Sequence, residues 1–136
     1  MKAIKFGAAS LLFAFTGPAF GFQTTGTDRA YFVEQKSKAV PKAFHGVWTT
    51  ERGKCRPQSL TRLTIHSGGI AQAEGAATTK SVSVGEPREI LVELSNSGGG
   101  GEWESLQIWR VTKDGKTLVM EDRPDGRRQT LWRCAR

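Results

Sequence analysis

The side chains able to do chemistry in this 136-residue chain are few and scattered. His45 and His66 are its two histidines, and neither has a second ligand or an acid–base partner at a useful spacing. Both alternate with apolar neighbours, which turns them toward water. No serine–histidine–aspartate order and no paired carboxylates stand out, and Glu102, Glu104 and Glu121 read as the outer face of a sheet. The glycine run at 98–101 lies between two strand-like segments. It lacks the helix N-terminus that a phosphate-cradling loop needs, so it reads as a hairpin tip. These residues lead to the expectation of no enzymatic activity, no metal and no cofactor. The remaining chemistry is electrostatic. Arg52, Lys54 and Arg56 surround Cys55 with no acid among residues 52–56, and Arg133 and Arg136 flank Cys134. Cations gathered in this way can hold an anion.

Whether they gather depends on the cysteines. Residues 1–21 have the layout of a secretory signal: a basic start with Lys2 and Lys5, an apolar run over 6–15, a Gly17-Pro18 break, and small residues at Ala19 and Gly21 before a cut ahead of Phe22. The apolar run is too short to span a bilayer. A periplasmic or secreted protein of 115 residues is expected after cleavage, enough for one domain, and its charge falls from +7 to +5 with the loss of the two lysines. Two cysteines in an exported chain argue for one disulfide, and two thiols alone do not make a structural zinc site. A Cys55–Cys134 bond holds its Cα atoms about 5.5–6 Å apart. It would bring Arg52, Lys54, Arg56 and Arg136 to one end of the domain as an anion-binding rim, with Arg133 either joining them or packing on a tryptophan.

The elements that position these groups follow from hydrophobic periodicity. Residues 22–43 are polar and mixed apart from the Tyr31-Phe32-Val33 island, and read as an N-terminal linker or arm. From Phe44 to the end the pattern has period two, as strands require. Strands are expected over 44–49, 60–66, 70–74, 80–84, 88–95, 102–112, 117–121 and 127–134, with 75–79 as a loop. Asp114-Gly115 and Asp125-Gly126 mark two hairpin turns. Seven or eight short strands joined by glycine turns predict an all-β, antiparallel, up-and-down barrel over 44–136, closed by the disulfide. Trp48, Trp109 and Trp132 are its expected structural core. The tryptophans, Trp103 among them, would either fill a barrel of this size or line a cavity within it. Gln107 would either line that cavity or hydrogen-bond an indole.

Gly46-x-Trp48 on the first strand, with an arginine on the last, resembles the lipocalin and calycin barrels. The resemblance implies that Trp48 covers the closed end and that Arg133 packs over it. The shortness of the region, the signal segment and the single disulfide are also similar to small periplasmic barrels that inhibit secreted metalloproteases. In that family a Gly-x-Trp likewise precedes a cysteine, but the second cysteine falls mid-chain, whereas Cys134 is third from the end. Two functions are therefore expected. One is an exported binding module for an apolar ligand or an anionic envelope component. The other is an inhibitor or interaction protein that acts on a secreted hydrolase through its N-terminal arm or loops. No nucleic-acid partner and no membrane span are expected.

Overall fold

The computed structural model describes residues 36–135. The signal segment 1–21, arm residues 22–35 and Arg136 lie outside the described residues. The elements are β1 (Lys36–Ser37), a 3-10 turn (Lys42–Phe44), β2 (Gly46–Thr49), β3 (Arg62–His66), β4 (Gly69–Gln72), β5 (Gly75–Val84), β6 (Glu89–Gly98), β7 (Gly101–Val111), β8 (Thr117–Arg123) and β9 (Arg128–Arg133). From β2 onward each strand pairs antiparallel with the next, and β9 pairs back onto β2. Eight strands thus close an up-and-down barrel, in which no strand from β2 to β9 lies at an edge over its whole length. β1 lies along β5, with Lys36 opposite Ser83 and Ser37 opposite Val82, beyond the point where β4 ends.

Local sequence accounts for most of the wall. Gly99 and Gly100 have φ of +58° and +80°, the left-handed pair that a two-residue hairpin needs to match the twist of β6 and β7. Ile90, Val92 and Leu94 of β6 meet Trp109 and Val111 of β7 and Leu118 and Met120 of β8 in one interior cluster. On the outer face of the same strands Leu91 and Ile108 form a smaller cluster with Leu106, which explains why β7 is apolar on both sides.

Four expectations need correction. Residues 75–79 are not a loop but the first half of β5, paired to β4 on one side and β6 on the other. Phe44 is not in the first strand: it ends the 3-10 turn, fully buried. Residues 36–43 belong to the fold and are not a linker. Val40 is buried, its N–H donates to Ser67 O at 2.8 Å, and the Thr79 hydroxyl donates to Lys38 O. Trp132 is only half-buried, because it alternates with the fully buried Leu131 and therefore faces outward.

Candidate anion-binding site

The basic residues of the first half of the chain sit in the loop between β2 and β3. Its base is pinned by Thr49, which is buried. The Thr49 hydroxyl donates to Glu51 O at 2.9 Å, accepts from Glu51 N–H at 3.2 Å, and lies 3.0 Å from the Thr61 hydroxyl. Lys54 N–H donates to Glu51 O and Ser59 N–H to Arg56 O, so the loop is two successive turns. Between those turns Cys55 is bonded to Cys134, with Cα atoms 5.7 Å apart. Cys134 N–H donates to Val47 O, so Cys55 is drawn back beside the middle of β2. The disulfide therefore ties the middle of the loop to the end of β9 beside β2.

Arg52, Lys54 and Arg56 are all exposed, and no ion pair engages any of them among the described residues. They line a concavity of about 730 Å³ together with Gly53, Gln58 and Ser59, and no carboxylate lines it. Asp122 accepts a hydrogen bond from Gln107 Nε2 at 2.7 Å, and Glu51 makes no ion pair among the described residues. The concavity thus offers an anion three cations plus the amide of Gln58.

Arg133 does different work. Its guanidinium carbon stands 4.1 Å from the centre of the Trp48 ring. Nε donates to Gly115 O at 2.6 Å, Nη1 to His45 O at 2.5 Å and Nη2 to Ala43 O at 2.9 Å. One side chain thereby joins β9 to the 3-10 turn, to the start of β2 and to the β7–β8 turn. Gly46 makes room for it: a Cβ there would fall 2.7 Å from Nη1, and its φ is +132°. Underneath, Trp48 is fully buried and donates from Nε1 to Phe44 O at 3.0 Å. The pair closes one end of the barrel, and Arg133 is not part of the basic concavity. Arg136 lies outside the described residues.

The interior is filled. Trp48, Trp109, Phe44, Ile65, Leu118 and Leu131 are each exposed by 1 % or less. Gln107 serves an indole: Trp109 Nε1 donates to Gln107 Oε1 at 2.8 Å. His45 Nε2 lies 2.7 Å from Val40 O, and His66 Nδ1 accepts from Gly68 N–H. Among the described residues no three His, Cys, Asp or Glu side chains come together as a metal site, and no helix is long and apolar enough to cross a membrane.

Two features had no clear signal in the sequence. One is a charged network on the outer face. The buried Glu121 accepts from Arg128 Nε at 2.9 Å and Arg110 Nη1 at 3.3 Å, and Arg110 also meets Glu89 at 3.3 Å. The hydrogen bond from Arg128 holds the Glu121 carboxyl below the ordinary glutamate range, against the opposing effect of burial. The other is the position of Trp103: the expectation that it fills or lines the barrel needs correction, because it shares a strand face with Trp109 but is 55 % exposed. Compared with protein-family models, curated proteins and solved structures, the chain finds no match in any of the three.

Proposed function

We propose that the protein is an exported binding module that captures an anionic, phosphate- or carboxylate-bearing component of the cell envelope on its β2–β3 loop. The observation that carries this reading is the set of three unpaired cations in one concavity, on a loop fixed by a disulfide at its middle and a buried threonine at its base. A fixed loop loses little conformational freedom on binding, and pre-organised charge favours an anion more than mobile charge does. An apolar ligand inside the barrel is the weaker reading, because tryptophans, Phe44 and aliphatic side chains already occupy the interior. Arg133 over Trp48, with Gly46 beneath, also favours reading the barrel as lipocalin-like.

The experiment compares wild type with the Arg52/Lys54/Arg56→Ser triple variant on heparin and on anionic vesicles across a salt gradient. A control variant, Lys113/Lys116/Arg127→Ser, removes the same formal charge from exposed sites elsewhere. The loop variant is expected to elute at clearly lower salt than the control. Equal elution of the two variants, both folded by circular dichroism, would reduce the effect to net charge and overturn the proposal.

A further inference from the structure

The barrel wall is uneven at the end opposite Arg133. β7 has eleven residues, but its pairing with β8 starts only at Leu106, opposite Arg123. On the side away from β6, residues 101–105 therefore have no neighbouring strand among the described residues. Hairpin geometry says which main-chain groups this leaves free. In a two-residue hairpin the pair flanking the turn, here Gly98 and Gly101, exchanges its hydrogen bonds across the hairpin, and the bonded pairs then alternate. Asn96 with Trp103 and Leu94 with Ser105 are the next bonded pairs. The N–H and C=O groups of Glu102 and Glu104 consequently point away from β6, and no turn or loop bond among the described residues uses them.

Side chains and shape mark this edge as well. Trp103 is exposed beside it, and Glu102 and Glu104 lie on the opposite face of the strand. A notch of about 290 Å³ reaches this edge, bordered by Lys80 of β5, Glu93 and Leu94 of β6, Glu104, Ser105 and Leu106 of β7 and Arg123 of β8. Among the described residues β9 leaves a second open edge, residues 128–131, because its pairing with β2 covers only Trp132 and Arg133. That edge carries no exposed aromatic, and Arg128 on it is already paired with Glu121.

We propose that residues 101–105 of β7 are a docking strand for an extended, basic segment of a partner protein, which adds to the barrel as one more strand. The main-chain groups of Glu102 and Glu104 supply the ladder. Basic side chains at alternate positions of the segment face the two carboxylates, and the apolar residue between them covers Trp103. Pairing with a second copy of this chain is disfavoured, since it sets glutamates against glutamates, and like charges across a ladder destabilise it. Lys80, 2.5 Å from Glu104, is the cation that the segment displaces or joins.

The probe is a fluorescently labelled acetyl-Lys-Val-Lys-Val-Lys-Val-Lys-amide peptide, followed by anisotropy. Glu104→Gln removes the charge and keeps the N–H, whereas Glu104→Pro removes both but spares the bonds to β6, a substitution that an edge position tolerates. Saturable binding is expected, with Glu104→Pro at least tenfold weaker than Glu104→Gln and Trp103→Ala several-fold weaker than wild type. A peptide N-methylated on alternate residues should lose binding to the unmodified protein, a test that needs no variant to fold. Equal effects of the proline and glutamine variants would mean charge attraction alone and overturn the proposal. So would unchanged binding of the methylated peptide, or no saturable binding at millimolar peptide. A wild-type dimer converted to monomer by Glu104→Pro would assign the edge to a second copy instead, and would also overturn it.

Discussion

Replacing Arg133 with methionine keeps much of the volume of the side chain and removes everything else it does. Three carbonyl oxygens, of Ala43, His45 and Gly115, lose a charged donor, and Trp48 loses the cation over its face. Hydrogen bonds to a charged group contribute about 1.5–3 kcal/mol each, and a partly desolvated cation–π contact about 1–2 kcal/mol. The simple total exceeds the true cost, because Arg133 is only half-buried and water will reach at least the Ala43 carbonyl. A loss of about 3–5 kcal/mol is expected, comparable to breaking a buried charge pair. That is a large part of the 5–15 kcal/mol that holds a typical domain together, and it would lower Tm by roughly 15–30 °C.

The assay is urea unfolding at equilibrium with the disulfide intact, followed by tryptophan fluorescence and circular dichroism. The midpoint should fall with little change in slope. Arg133→Lys separates geometry from charge. A single ammonium cannot reach three carbonyls on different sides of a planar fork, so lysine should recover no more than about a third of the loss. Anion retention of the lysine variant should match that of wild type, because Arg133 is engaged away from the basic concavity. A methionine variant within 1 kcal/mol of wild type, or a lysine variant equal to wild type, would refute the assignment of Arg133 as the closure of the barrel.

Two further outcomes test the frame around the sites. Thiol titration of the denatured, unreduced protein should find no free thiol, and reduction should cost about 4–5 kcal/mol by the chain-entropy model for a bond spanning 79 residues. Two reactive thiols, or a loss below 1 kcal/mol, would contradict that role. Glu121 sets an acid dependence: its carboxyl is held below the usual range in the fold, so its contribution is present above the unfolded value of about 4.3 and is lost as pH falls through the folded value. Glu121→Gln should therefore be about 1–3 kcal/mol less stable at pH 7, with the gap closing as pH falls below the unfolded value in matched urea titrations; a gap independent of pH would show that the charge is not what matters.

What was legible in the sequence is what depends on near neighbours. Alternation is enough to put Leu63 and Ile65 on one face of β3 and Ile90, Val92 and Leu94 on one face of β6, and the glycine-rich turns mark where strands reverse. The misreadings arose where a distant strand decides. Residues 75–79 are Gly-Ala-Ala-Thr-Thr, with no apolar stripe to announce a strand. At their start the backbones crowd: a Cβ on Gly75 would fall 2.4 Å from Ser97 O. Leu131 and Trp132 are adjacent and both apolar, so local pattern cannot say which faces inward, and a one-residue slip exchanges them. The partner settles it, since Arg133 lies opposite Trp48, and Leu131 shares its side of the strand. Trp103 and Trp109 have the same parity on the same strand, yet one is exposed and the other sealed. The difference lies in β8, which reaches Leu106 and stops. The length of a neighbouring strand is a non-local quantity, invisible at position 103. It leaves main-chain groups unpaired beside an exposed aromatic, and this makes the end of β7 a surface to which another chain can add.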